Sequence, residues 1–125
     1  MDANETNDDP RPPRMSIVLP RLSGHELHWL VGWAKLKRDR FPTFTRWLVQ
    51  ILMDELDRRT CREEAGMIEI PNWTHGQLAD CLLGSYVLCR LPLSESQAVV
   101  ADEIHRHVVT NSVAYLEVFS QEVTA

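Results

Sequence analysis

Residues 14–20 have the sequence RMSIVLP, and this stretch decides the predicted fold. Apolar residues recur at every second position, which is typical of a β-strand with one buried face. Pro20 ends the strand, because proline has no N–H group to donate to a neighbouring strand. The buried face is predicted to hold Met15, Ile17 and Leu19, and the opposite face Arg14, Ser16 and Val18.

Helices are predicted for the rest of the chain. Ser23 and Glu26 have the spacing of a capping box, and the helix behind them ends in a run of cations before Pro42. Thr43 is placed to cap a second helix. Thr74 and Gln77 form another capping box at the start of an acidic helical region over residues 67–125.

The predicted strand needs a partner. Its backbone N–H and C=O groups must be paired or hydrated, and an isolated strand is not stable in water. Residues 67–70 are one candidate partner. The simpler alternative is the same strand from a second subunit, antiparallel about a two-fold axis. A two-stranded ribbon of this kind fits the major groove of DNA.

Charge is distributed unevenly along the chain. The net charge is −5, but residues 11–62 carry eleven Lys and Arg against five Asp and Glu. Residues 1–10 carry four acids and no base, and residues 63–125 carry nine acids and two bases. A basic segment between acidic ends predicts a polyanionic partner for that segment.

The sequence favours a cytoplasmic protein without enzymatic activity. Cys61, Cys81 and Cys89 lack the spacing of a zinc module, and their odd number argues against a disulfide framework. His105 and His107 would point about 160° apart on a helix. No phosphate-binding glycine loop or catalytic motif is present, so we expect no catalytic residue, metal or cofactor. The N-terminus resembles no secretion signal and no segment suits a membrane span.

The strand, the helix behind it and the residues FPTFT at positions 41–45 together resemble the ribbon-helix-helix (MetJ/Arc type) DNA-binding domain. The resemblance covers about residues 14–60 and implies a homodimer. It implies that the strand reads bases through Arg14, Ser16 and Val18, and that the second helix holds a phosphate at Thr43, Phe44 and Thr45. The dimer core would then consist of Met15, Ile17, Leu19, Leu48 and Leu52.

Other residues carry two interpretations. Arg46 is at the third position of the second helix, where a positive charge is unfavourable because the helix dipole is also positive there. A phosphate bound at this helix end would explain the arginine; alternatively, Arg46 is a tolerated surface residue. The cluster of Lys35, Lys37, Arg38 and Arg40 either lines a DNA backbone or complements the negative end of the first helix. The tryptophans are expected in the core or dimer interface rather than in a ligand pocket: Trp29, Trp33 and Trp47.

We therefore predict a mainly α fold with three parts. Residues 1–13 form a flexible acidic, proline-rich tail, residues 14–62 a ribbon-helix-helix domain, and residues 67–125 a helical region for oligomerisation or a protein partner. The predicted function is a sequence-specific transcriptional regulator, a repressor that binds double-stranded DNA as a homodimer or higher oligomer. An antitoxin-like autorepressor and a plasmid or phage accessory share this chemistry. The alternative is a protein-interaction module or phage-type inhibitor that uses the fold only to dimerise.

Overall fold

The computed structural model describes residues 15–61 and 68–124, with side chains for all of these except Ser16 and residues 113–124. The described residues form helices joined by short connections, and none of them lies in a β-strand. The helices are α1 (Met15–Val18), α2 (Gly24–Leu36), α3 (Pro42–Cys61), α4 (His75–Cys89) and α5 (Glu95–Thr124), with a 3-10 turn at Leu19–Arg21 after α1.

The predicted N-terminal strand is wrong. Met15–Val18 is helical, and the turn at Leu19–Arg21 continues the chain toward α2. The side chains buried here are Met15, Val18, Leu19 and Leu22, whose spacing of three and four residues belongs to a helix. The carbonyl of Leu19 accepts the N–H of Leu22 at 3.1 Å and the Arg59 guanidinium at 3.0 Å, so its partners come from the same chain and not from a second strand.

Because this segment is a helix, the side chains that it buries and exposes differ from those that the predicted strand would bury and expose. Val18, assigned to base contact, is completely buried, whereas Ile17, assigned to the dimer core, is 54% exposed. Arg14 lies outside the described residues, as does the tail over residues 1–13, and the side chain of Ser16 is not described. The ribbon-helix-helix architecture therefore does not describe this chain.

The other residues assigned to a dimer core are buried within a single chain. Met15, Leu19, Leu48 and Leu52 are each at most 1% exposed. They belong to one cluster that also includes Leu88 and side chains of α5 such as Ile104. Because α1 packs against α5 and α3 against α4, the N-terminal and C-terminal parts of the chain share this core.

Two of the predicted helix starts are confirmed. The Ser23 hydroxyl accepts the N–H of Glu26 at 3.0 Å, and the Glu26 carboxylate accepts the N–H of Ser23 at 2.8 Å. Thr74 and Gln77 form the same box at the start of α4. Helix α3 instead begins at Pro42, one residue before the predicted cap Thr43, since proline at the first helical position loses no hydrogen bond.

Glu26 also ties α2 to the start of α5. Its carboxylate accepts a hydrogen bond from the hydroxyl of Ser94, and its backbone carbonyl accepts one from the Gln97 side chain at 3.0 Å. The backbone N–H of Ser23, and after it the Ser94 hydroxyl, lower the pKa of Glu26 from its usual value. The charged carboxylate is thus held at the junction of two helices.

Helices α3 and α4 approach each other closely at Gly84. A Cβ atom added to Gly84 would lie 2.6 Å from Cδ2 and 2.9 Å from Cγ of Phe44, which is fully buried. Such distances are shorter than van der Waals contact, and Cγ cannot move without moving the whole ring. Only glycine fits at this crossing.

We expect Gly84→Ala to lower the free energy of unfolding by about 1–3 kcal/mol, because the added methyl overpacks the contact with Phe44. Urea denaturation followed by circular dichroism measures this. Gly32→Ala is the matched control, since Gly32 also lies inside a helix but has open space where its Cβ would be. It should stabilise the protein by about 0.5–1 kcal/mol. Equal effects of the two substitutions would contradict the tight crossing.

The cysteines of α4 are held protonated. Burial, and after it the charge of Asp80, raises the pKa of the Cys81 thiol to about 12 from an ordinary value of 9.0. Burial and Asp102 also raise the pKa of Cys89. Cys61, in contrast, is exposed at the end of α3.

Cys81 should make stability depend on alkaline pH. In the unfolded chain its thiol ionises near pH 9, so its contribution to stability is complete below pH 9 and is lost as the pH rises toward about 12. One such group changes the free energy of unfolding by at most about 1.4 kcal/mol per pH unit. Urea titrations from pH 8 upward should show a shallower decline for Cys81→Ala than for the wild type; identical slopes would contradict the assignment.

Candidate functional site

The main candidate site lies where α2 turns into α3. Five cations lie within the twelve residues 35–46, and we call them the basic corner: Lys35, Lys37, Arg38, Arg40 and Arg46. Four of them are exposed and Lys37 is half-buried, and Asp39 is the one acid in this stretch. The corner is the part of the described chain where exposed positive charge is most concentrated.

The turn between α2 and α3, which carries Lys37, Arg38 and Arg40, is held by backbone hydrogen bonds. The N–H of Lys37 donates to the carbonyl of Trp33 at 3.1 Å, and the N–H groups of Arg40 and Phe41 both donate to the carbonyl of Lys37. Phe41 is buried, and the guanidinium of Arg40 lies over its ring at 5.5 Å. Lys37, Arg38 and Arg40 therefore project from a turn that Phe41 anchors in the core, between Lys35 at the end of α2 and Arg46 near the start of α3.

None of these five cations forms an ion pair with a residue that the structure describes. The arginines at the end of α3 differ, because Arg58 and Arg59 both bind the buried carboxylate of Glu55, at 3.1 and 2.9 Å. Arg59 also donates to the carbonyl of Leu19 at 3.0 Å. The basic segment thus contains two kinds of cation, one used within the fold and one left to solvent or a partner.

A groove of about 450 Å³ runs beside the basic corner, between the end of α2 and the outer face of α3. Its cationic lining consists of Lys35, Arg38 and Arg46. Asp39 and Gln50 add polar groups. Its remaining lining consists of Ala34, Pro42, Thr45, Val49 and Met53. The groove therefore combines positive charge with a largely apolar floor.

The N-terminus of α3 is closed by a carboxylate from α4. Asp80 accepts the N–H of Thr43 at 2.6 Å and that of Phe44 at 3.4 Å, and the N–H of Thr45 donates to the carbonyl of Phe41. These are the three N–H groups assigned to a phosphate by the sequence. Each has an acceptor within the chain, so an external phosphate there would have to displace Asp80.

Asp80 has the role at this helix end that the sequence assigned to an external anion. A carboxylate stabilises the positive end of a helix dipole as a phosphate does. Asp80 lies more than thirty residues after α3 begins, so no local capping pattern reveals it. Arg46 follows one turn after this end, and its side chain is exposed.

The structure also places the tryptophans and histidines that the sequence singled out. Trp33 and Trp47 are buried in the core as expected, whereas Trp29 is 41% exposed on α2 and does not belong to the core. His105 shares a hydrogen bond with Ser85 at 2.8 Å, and His107 lies 2.9 Å from the Glu103 carboxylate. Among residues 15–61 and 68–112, no cluster of three or more His, Cys, Asp or Glu side chains could hold a metal ion. No helix over the described ranges is long and apolar enough to span a bilayer.

Comparison with known proteins returns no relative. The chain matches no family model, and searches among curated proteins and solved structures find no significant similarity.

We expect Asp80→Ala to destabilise the protein by about 0.5–2 kcal/mol, the usual cost of removing a helix cap. The substitution leaves the N–H groups of Thr43 and Phe44 without their acceptor. Asp102→Ala is the control, because Asp102 forms only an exposed ion pair with Arg106 and such pairs contribute little. Thermal and urea unfolding of the two variants checks the difference, and equal stability of both would contradict the capping role.

Proposed function

We propose that this chain is a DNA-binding regulator that contacts the phosphate backbone through the basic corner. The observation that carries the proposal is the set of five cations at the end of α2, on the turn and in the first part of α3, none with an ion-pair partner among the described residues. The chain as a whole carries a charge of −5, so its positive charge is concentrated where a polyanion could use it. This mode of binding needs no β-ribbon.

The basic corner suits contact with phosphates better than reading of bases. Long lysine and arginine side chains that are exposed to solvent can reach DNA phosphates, and such contacts position a protein without carrying sequence information. Each neutralised phosphate releases counterions and contributes about 0.9 to the slope of log affinity against log salt concentration. Five contacts would give a slope of about −4 to −5.

A second candidate function is binding of an acidic protein segment. The groove beside the corner favours it, because its apolar floor is a surface that a phosphate backbone would not use. Met53, on this floor, is 42% exposed. A partner helix with an apolar face and acidic edges would match the groove. Both candidate functions use the cations of the basic corner. Only binding of a protein segment also uses the apolar residues on the groove floor.

The experiment is fluorescence anisotropy on a short labelled DNA duplex between about 50 and 200 mM salt, the range over which phosphate contacts weaken strongly. Arg38→Ala and Arg46→Ala should each weaken binding to the same extent on duplexes of different sequence. Each should also reduce the salt slope by about one unit. Arg106→Ala is the control, because Arg106 is an exposed arginine outside the corner that is paired with Asp102.

Absence of binding by the wild type at low salt would refute DNA binding, as would equal losses in Arg106→Ala and Arg46→Ala. Met53→Gln separates the second candidate. It makes the groove floor polar without adding charge beside Lys35, Arg38 and Arg46, so under the DNA proposal it should change duplex affinity only slightly, whereas it should weaken binding of a partner helix with an apolar face.

A further inference from the structure

Helix α4 is apolar on both of its faces. Its inner face is buried in the core through Leu78, Cys81 and Leu88. The exposed residues of its outer side include Gly76, Ala79, Leu83 and Tyr86, with the polar His75 and Gln77 at the start of the helix. Just after the helix, the guanidinium of Arg90 lies 6.0 Å from the centre of the Tyr86 ring. Asp80 is the one Asp, Glu, Lys or Arg in the helix, and its carboxylate caps α3. A helix face that exposes leucine and tyrosine and carries no Asp, Glu, Lys or Arg suits contact with another protein surface.

The outer residues of α4 have a regular spacing and a gradient of size. Gly76, Ala79, Leu83 and Tyr86 are separated by three, four and three residues, the spacing of a seam that packs against another helix. The two small residues come first and the two large ones last. Leu83 and Tyr86 are each 51% exposed, and the space next to Gly76 is open.

This gradient fits a second copy of the same helix in the opposite direction. In an antiparallel pair centred near Cys81, Gly76 would face Tyr86 of the other copy and Ala79 would face its Leu83. Each layer would then combine a small residue with a large one, the arrangement in which helix surfaces interdigitate without voids. A parallel pair would place tyrosine on tyrosine and glycine on glycine.

The distribution of charge in the C-terminal half also favours the outer face of α4 as the contact between two copies. Residues 63–125 carry nine acids and two bases, so most approaches of one C-terminal half to another bring like charges together. The outer face of α4 carries no acid that could repel its copy. Next to it on α5, Asp102 is neutralised by Arg106 at 2.9 Å, and His105 contacts the Tyr86 ring at a centroid distance of 6.3 Å.

We propose that two copies of this chain pair through the outer face of α4, antiparallel about a two-fold axis. The interface is isologous, so it closes as a dimer. It leaves the basic corner on each copy free, and it does not depend on DNA binding. A helix of 15 residues is about 22 Å long, and one pair of this length buries less than the roughly 800 Å² per partner of a standard stable complex. The dimer should therefore dissociate in the micromolar range.

Sedimentation velocity from low micromolar to several hundred micromolar protein measures this equilibrium. The wild type should shift from monomer to dimer, and Leu83→Glu should stay monomeric because it brings two carboxylates close to the axis. Leu36→Glu is the matched control, since Leu36 is 83% exposed on α2 and lies outside the interface. Circular dichroism verifies that both variants are folded.

Disulfide trapping tests the pairing even if Leu83→Glu does not fold. Chains carrying Ala79→Cys and chains carrying Leu83→Cys, both with Cys61→Ser, are purified separately, mixed and oxidised. Antiparallel pairing predicts that the mixed disulfide dominates, since the two positions face each other within the range of Cα distances that a disulfide spans. Three results would each overturn the proposal. The wild type could stay monomeric at every concentration, or Leu36→Glu could dissociate as much as Leu83→Glu. In the trapping experiment, disulfides could form only between chains that carry the same cysteine substitution.

Discussion

The contact between Phe44 and Gly84 fixes how closely α3 and α4 pack, and other features of the described fold depend on that distance. The ring of Phe44 fills the space that any larger residue at position 84 would need, so α3 and α4 cross at close range. At that range Asp80, one turn before Gly84, reaches the N–H groups that begin α3. The crossing thus provides both a close contact in the core and the carboxylate that caps α3. Helix α5 packs against both α4 and α1.

This crossing also shapes the electrostatics of the candidate site. Because Asp80 occupies the positive end of α3, the fold itself provides the anion that this helix end attracts. The cations of the basic corner lie on the turn just before it and on the exposed face just after it, without ion pairs to the described residues. Their availability follows from the turn being anchored by buried Phe41 while their side chains face solvent. Arg58 and Arg59 show the contrasting case, in which the buried carboxylate of Glu55 draws cations into the fold.

The two proposals assign different surfaces to different partners. A polyanion would meet the basic corner, and a second copy would meet the uncharged outer face of α4. The separation is physically reasonable, because an acidic chain can self-associate only where it carries no net acid and can approach DNA only where it is positive. A dimer of this kind would present two basic corners to one polyanion and raise its avidity without new contacts.

Some features follow from the sequence alone because their causes are local. The capping boxes at Ser23 and Thr74, the helices behind them and the concentration of cations in residues 35–46 all depend on neighbours within one or two turns. The N-terminal segment shows where local reasoning fails. Alternation of Met15, Ile17 and Leu19 is compatible with a strand, but Met15, Val18, Leu19 and Leu22 also fit one face of a helix. A segment so short takes its conformation from the surface that covers it, and here that surface is α5 and the end of α3. The role of Asp80 and the need for glycine at position 84 likewise belong to tertiary structure, because the groups that require them lie more than thirty residues away in the chain.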